Sequence, residues 1–418
     1  MEQFRITGGN RLNGEVVVKA AKNSVLPIIA CCLLSDEHII IQNVPDLLDI
    51  RNMLEIMKSL GAKVEYKSTN LYINCKNANA SAVESNLSGA LRSSIFLLGP
   101  CISRFKKARL GLPGGCAIGA RPIDLHIGGL KELGVKVVES DSYIDCDASK
   151  LTGGNIHLRF PSVGATENLM MAAVFASGTT TIHNTAMEPE IVDLANFINT
   201  LGGRVYGAGT KTLTVRGITR LHGGIYCPSS DRIAAPTFLA AAGSTRGNVT
   251  VRGIDPSLML ASLRVFVDSG CSVLAGKSHI TVSCDRRLNS IKELTTGPHP
   301  KFPTDMQPQI ATMLSLASGT SAIEETIFEN RFKYATELNK FGADIKVRGN
   351  IATIKGVEKL KGATVFAEDL RGGAALTIAA LSAYGNSIIK DVKHIDRGYE
   401  ALESDFRALG GNIIREPC

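Results

Sequence analysis

Leu60-Gly61-Ala62-Lys63-Val64 reads as a helix end, a left-handed glycine and the start of a strand, and the phrase returns five more times. It stands as Leu133-Gly134-Val135-Lys136-Val137, Leu201-Gly202-Gly203-Arg204-Val205 and Ser269-Gly270-Cys271-Ser272-Val273. It then closes the series as Phe341-Gly342-Ala343-Asp344-Ile345 and Leu409-Gly410-Gly411-Asn412-Ile413. The glycines lie 68 to 73 residues apart. Each follows an amphipathic stretch such as 47–60 or 399–409. Glycine takes this place because a helix commonly ends on a residue of positive φ. A fixed period of about 70 residues makes the chain six copies of one unit.

A second helix is predicted in every copy, over 23–34, 91–102, 166–176, 232–242, 306–317 and 372–383. These stretches are rich in alanine and apolar nearly all round, so they belong inside. Short β-branched strands separate the helices, as at 39–42, 179–183, 248–252 and 387–390. The 418 residues suit two domains of about 200 each. Three copies per domain would then place helices inside and sheets outside. That is the reverse of a TIM barrel, whose helices face water. A doubly wound sheet is disfavoured because no G-x-G-x-x-G follows a strand in the required setting.

Composition bounds the function. With 44% hydrophobic and 20% charged residues the chain has enough apolar material for real cores. The net charge of +7 comes without any run of five like charges, so a small anionic substrate fits better than a nucleic-acid surface. The ten cysteines form no C-x-x-C pair and mostly sit in apolar runs. That pattern predicts reduced core thiols, not a disulfide framework. No histidine spacing suggests a metal site, no apolar run is long enough to span a bilayer, and the start is no signal peptide. The expected compartment is the cytoplasm.

The charges cluster at the predicted helix starts. Lys22, Arg92, Arg232 and Arg371 mark second-type helices, and Arg121, Arg331 and Arg397 mark first-type ones. A cation at a helix N-terminus opposes the dipole, so seven at equivalent places need a reason. Helices joining strands in one sense run parallel and gather their N-termini at one edge. The predicted result is a cleft lined with cations and free N–H donors, suited to several phosphate or carboxylate groups. Asp305, in Phe302-Pro303-Thr304-Asp305, is the one acidic marker. It reads either as an N-cap or as a carboxylate base among cations. Cys116 stands in Leu112-Pro113-Gly114-Gly115-Cys116-Ala117-Ile118-Gly119-Ala120-Arg121-Pro122, a glycine-rich loop ending on an arginine. Nearby positive charge makes such a thiol acidic.

Together these motifs resemble the enolpyruvyl transferases of bacteria. The pieces that carry the likeness are Ala21-Lys22-Asn23-Ser24, Leu91-Arg92-Ser93-Ser94, the stretch 112–124, Ser162-Val163-Gly164-Ala165-Thr166 and Phe302-Pro303-Thr304-Asp305. Phe328-Glu329-Asn330-Arg331, Glu368-Asp369-Leu370-Arg371 and His394-Ile395-Asp396-Arg397-Gly398-Tyr399 complete them in order. The sister branch acting on 3-phosphoshikimate lacks the Pro113-Gly114-Gly115-Cys116 loop and ranks second. A paralogue that binds a nucleotide-sugar without chemistry is the reading from another class.

The resemblance implies an inside-out α/β barrel in each of two domains, 22–229 and 1–21 plus 230–418, with the active site in the cleft between them. It implies transfer of the enolpyruvyl group of phosphoenolpyruvate to the 3′-hydroxyl of UDP-N-acetylglucosamine, with no cofactor or metal. Asp305 would be the base. Lys22, Arg121 and Arg397 would hold the phosphate, Arg331 and Arg371 the carboxylate, and Arg92 the closed lid. Asn23, Asp369 and Leu370 would line the same pocket. Cys116 would act from the lid as acid or product-release group and take up the epoxide fosfomycin. The nucleotide-sugar would lie along Arg121, Pro122, Ile123, Asp124, Leu125, His126, Ser162, Val163, Gly164, Asp305 and Ile327, with Asn23 and Arg92 nearby. Three departures from the family pattern are Ala20, Phe160-Pro161 and Ala234.

Overall fold

The computed structural model describes residues 2–114, 119 and 122–418. Cys116 and Arg121 lie outside the described residues. The described residues fold into six four-stranded sheets, three in each of two compact units. One unit is built from 2–19 together with 230–418, and the other lies within 20–229.

All six glycines of the repeated phrase have positive φ, from +81° at Gly134 to +95° at Gly61. The surrounding bonds show why. Gly61 N donates to Lys58 O at 2.9 Å and Ala62 N reaches back to Met57 O at 3.1 Å. The pair recurs as Gly270 N to Val267 O at 2.9 Å and Cys271 N to Phe266 O at 3.0 Å. Both bonds satisfy carbonyls that the ending helix leaves open, and the second needs the left-handed turn.

The first five copies run strand, buried helix, strand, peripheral helix, strand, strand, and the sixth lacks the last strand, which Glu2–Gly8 supplies. In the first unit Asn13–Val17 lies parallel to Asn248–Arg252, which pairs antiparallel with His279–Ser283. Glu2–Gly8 pairs antiparallel with both Gly385–Lys390 and Asn412–Pro417. The N-terminal residues thus complete two sheets whose other strands come from the far end of the chain. In the other unit Gly224–Tyr226 supplies the parallel edge beside His38–Ile41.

The strands bury one face only. Val249 and Val251 are buried while Asn248 and Arg252 are exposed, so a one-residue slip would turn the core outward. The buried faces cover the helices Ala234–Thr245, Gln307–Leu314 and Leu370–Ser382 in one unit. In the other they cover Lys22–Cys31, Leu98–Phe105 and Val163–Ala173. Alanine and glycine let these helices approach. A Cβ at Gly99 would meet the Asn168 carbonyl at 2.4 Å. Helices inside and sheets outside make each unit an inside-out α/β barrel. Among the described residues no helix is long and apolar enough to cross a membrane.

The helix starts differ from the sequence expectation in three places. Arg92 opens a 3-10 turn, Arg92–Leu97, before the α-helix Leu98–Phe105. Arg331 opens the 3-10 turn Arg331–Lys333, and Arg397 ends another, Val392–Arg397, before the helix Leu402–Ala408. Several N-terminal donors are also already engaged. Asp369 Oδ1 accepts from Arg371 N at 2.9 Å and Gly372 N at 3.0 Å. Asp231 Oδ1 accepts from Ile233 N and Ala234 N, both at 2.8 Å, and Ser162 Oγ accepts from Ala165 N at 3.3 Å. Acidic and hydroxyl caps outcompete a ligand for these donors.

Candidate active site

In the unit holding 230–418, Asp305 sits between two arginines. Arg331 Nη2 donates to its Oδ1 at 3.0 Å. Arg371 donates to its Oδ2 through Nε at 3.2 Å and Nη2 at 3.1 Å. Both guanidinium side chains are 3% exposed, whereas the Asp305 side chain is 28% exposed. Two buried cations thus hold a carboxylate that still meets solvent. The N-cap reading is corrected: the turn Thr304–Met306 has Pro303 at its cap position and no side-chain capping bond.

The arginines are themselves positioned. Arg331 Nε donates to Thr304 O at 3.3 Å. Arg371 lies over the Tyr399 ring, 5.4 Å from its centroid. Tyr399 OH is 2.8 Å from Thr237 Oγ1 and accepts from Gln309 Nε2 at 3.2 Å. Burial alone would disfavour the Arg371 charge, but Tyr399, Asp305 and Asp231 outweigh it and raise its pKa.

Glu325 is a residue the sequence reading missed. It is buried, accepts from Thr304 Oγ1 at 2.9 Å, and accepts from Ile327 N at 2.8 Å and Phe328 N at 3.2 Å. One carboxylate thereby fixes the turn before Asp305 and the loop bearing Ile327. No local pattern in Glu324-Glu325 marks it. Leu370 is buried at the start of its helix, beside the cap Asp369. Arg397 is half-buried. In the same turn His394 has its pKa lowered by burial first and then by Lys393 and Arg397.

In the unit within 20–229, Lys22 Nζ donates to Asp49 Oδ2 at 3.0 Å, with side-chain exposures of 11% and 3%. Asp49 also escaped the sequence reading; its signal was an acid in the first turn of an amphipathic helix. Asn23, next in the chain, is half-buried. Arg92 Nη1 donates to Pro113 O at 3.4 Å, tying it to the start of the glycine-rich loop.

A second group forms around the helix Asp124–Glu132. His126 is buried and its Nδ1 accepts from Asn168 Nδ2 at 3.0 Å, so Nε2 carries the proton in the neutral ring. Gly164 packs against that ring; a Cβ there would lie 3.3 Å from it. Asp124 pairs with Arg159, whose side chain is 73% exposed. The structure thus brings Asp124, His126, Ser162 and Gly164 together, with Ile123, Leu125 and Val163 partly buried beside them and Pro122 exposed. Arg159 directly precedes the Phe160-Pro161 departure and adds a cation there. Among the described residues no group of three His, Cys, Asp or Glu could hold a metal ion.

The chain matches the family model for EPSP synthase (3-phosphoshikimate 1-carboxyvinyltransferase) over residues 6–406. A UDP-N-acetylglucosamine 1-carboxyvinyltransferase 2 of Caldanaerobacter subterraneus subsp. tengcongensis is 48% identical, covering 99% of this chain and 100% of its own. The UDP-N-acetylglucosamine 1-carboxyvinyltransferase of Dichelobacter nodosus is 44% identical over 99% of each chain. Of solved structures, an enolpyruvyl transferase from Streptomyces tendae superposes with a TM-score of 0.90 at 24% identity, covering 100% of this chain and 99% of its own. An EPSP synthase from Acinetobacter baumannii gives 0.78 at 16% identity over 100% of both chains. At those identities the two structures establish the fold.

Proposed function

We propose, on the premise that this chain belongs to the EPSP synthase family of enolpyruvyl transferases, that it acts on phosphoenolpyruvate and UDP-N-acetylglucosamine. It moves the enolpyruvyl group to the sugar 3′-hydroxyl and releases phosphate, the first committed step of peptidoglycan precursor synthesis, in the cytoplasm. The observation that carries the reading is the Asp305 clamp. A base for a sugar hydroxyl must be ionised, reachable and fixed. Arg331 and Arg371 favour the ionised form, and the 28% exposure leaves the carboxylate reachable.

The reaction is an addition followed by an elimination. The 3′-hydroxyl loses its proton to Asp305 and its oxygen bonds to C2 of phosphoenolpyruvate, while C3 gains a proton. C3 then gives up a proton and C2 expels phosphate, restoring the double bond. Charge on carboxylate and phosphate must be held throughout. We assign the carboxylate to Arg331 and Arg371 and the phosphate to Lys22, Arg121 and Arg397. Arg92, Asn23, Asp369 and Leu370 support that pocket. The nucleotide-sugar is assigned to the Asp124, His126 and Ser162–Gly164 group, with Arg159 offering charge where Phe160-Pro161 departs from the family pattern. Cys116 is assigned the lid thiol that protonates C3 or assists product release, and the site of fosfomycin alkylation.

Full-length relatives named for the nucleotide-sugar reaction, at 43% to 48% identity, favour it over 3-phosphoshikimate. A phosphate-release assay tests the reading. Release should require both phosphoenolpyruvate and UDP-N-acetylglucosamine. Release with 3-phosphoshikimate alone as acceptor would reassign the substrate, and tight nucleotide-sugar binding without release would make the chain a non-catalytic paralogue.

A further inference from the structure

Cys271 and Cys284 face each other across two strands. Ser272–Ala275 pairs antiparallel with His279–Ser283, and the ladder begins at Ser272 opposite Ser283. One step beyond, the same register sets Cys271 opposite Cys284. Cys271 N donates to Phe266 O and Cys284 N to Gly247 O, so the two exchange no backbone bonds. Such a non-hydrogen-bonded antiparallel pair has Cα atoms about 4.5 Å apart. That lies inside the roughly 4.4–6.8 Å range that a disulfide spans.

The two thiols interact electrostatically, Cys284 Sγ also donates to Arg286 O at 3.0 Å, and the residues are 7% and 6% exposed. The equivalent place in other copies holds no such pair. Extending the ladders by one step gives Ala62 with Cys75, Val135 with Ala148, and Ala343 with Gly356. The position tolerates small apolar side chains, so packing does not demand two sulfurs. The other buried cysteines are harder to ionise: burial pushes Cys75, Cys101 and Cys146 up to about 12. At Cys284 the neighbouring Cys271 thiol acts the other way and, with the Arg286 backbone and Arg246, outweighs burial and Asp285 to favour the thiolate.

We propose that Cys271 and Cys284 form a reversible peroxide-sensitive disulfide that pins the end of the helix Leu260–Asp268 to the strand His279–Ser283. The Cys284 thiolate attacks one oxygen of hydrogen peroxide, the O–O bond breaks and water leaves, giving a sulfenic acid. The Cys271 sulfur then attacks that sulfur, the S–O bond breaks and a second water leaves. Two thiols lose two electrons and two protons, and one peroxide becomes two waters.

The test uses the full-length protein treated with a small excess of hydrogen peroxide, alkylated, digested without reductant and mapped by mass spectrometry. A cross-linked peptide joining Cys271 to Cys284 is expected, two hydrogens lighter than the sum and split by dithiothreitol. Peptide mapping separates it from any chemistry at Cys116. C271A, which installs the alanine that Ala62 and Ala343 provide in other copies, should abolish the cross-link. Oxidation should raise the melting temperature of the wild type by several degrees and leave that of C271A unmoved. Recovery of both thiols as separate alkylated peptides, sulfinic acid at either without a cross-link, or a cross-link of either to a third cysteine would overturn the proposal.

Discussion

Asp305→Asn is the substitution with the most at stake. The wild-type carboxylate accepts three bonds from two guanidinium groups, each on a side chain 3% exposed. An asparagine oxygen can keep one side of that clamp, but its amide then points N–H at the other arginine, which also offers only donors. One or two charge-assisted bonds are lost, each worth about 1.5–3 kcal/mol, and two buried cations lose their counter-charge. Solvent at the partly exposed carboxylate screens some of this, so about 3 kcal/mol is the expected net cost. For a unit of roughly 200 residues that corresponds to a fall of about 6–12 °C in melting temperature. Turnover should fall about a hundredfold or more in the folded enzyme, because proton acceptance is gone. Differential scanning fluorimetry and phosphate release measure the two effects on the same sample. Inorganic phosphate should stabilise the variant more than the wild type, since an added anion can supply counter-charge that the two arginines have lost. An unchanged melting temperature would refute the clamp energetics. Near-normal turnover in the folded variant would remove Asp305 as base.

Lys22→Ala should cost about 3 kcal/mol by breaking the buried ion pair with Asp49, and should raise the KM for phosphoenolpyruvate at least tenfold. Adding Asp49→Asn should restore stability but not substrate handling; recovery of both would make Lys22 purely structural. Glu167 is fully buried with neither carboxylate oxygen hydrogen-bonded, and burial first, then Glu190 and Glu188, push its pKa well above the usual range. The folded state therefore keeps a proton that the unfolded chain releases above about pH 4.5, and stability falls by about 1.4 kcal/mol per pH unit from there toward the folded pKa. Glu167→Gln should flatten that slope and stabilise the protein at pH 8; an unchanged slope in denaturant melts between pH 5 and 8 would show Glu167 ionised in the fold. Fosfomycin should leave one adduct, on Cys116, formed faster with UDP-N-acetylglucosamine present, and Cys116→Asp should resist it while retaining activity; adducts on another peptide would reassign the thiol.

The repeated glycine phrase was legible because a helix C-terminus is a local problem. Gly61 and its five counterparts answer open carbonyls within one turn, so sequence alone determined where six helices end and six strands begin. The buried helices were legible for a similar reason: stretches such as 372–383 have no polar face to offer water. The motifs carrying the family resemblance likewise named Asp305, Arg331 and Arg371 as a set. Only the tertiary structure decided what these residues do to one another. Arg331 and Arg371 stand 26 and 66 residues from Asp305, so no local spacing could reveal that two buried guanidinium groups clamp one carboxylate. Tertiary packing also placed Arg92, Arg331 and Arg397 on 3-10 turns and gave the donors at several helix starts to Asp231, Asp369 and Ser162. Glu325 and Asp49 became visible only then. A carboxylate's partners are set by which strands and turns pack beside it, and in a fold where residues 2–19 complete sheets begun beyond residue 240, those neighbours are far away in the chain.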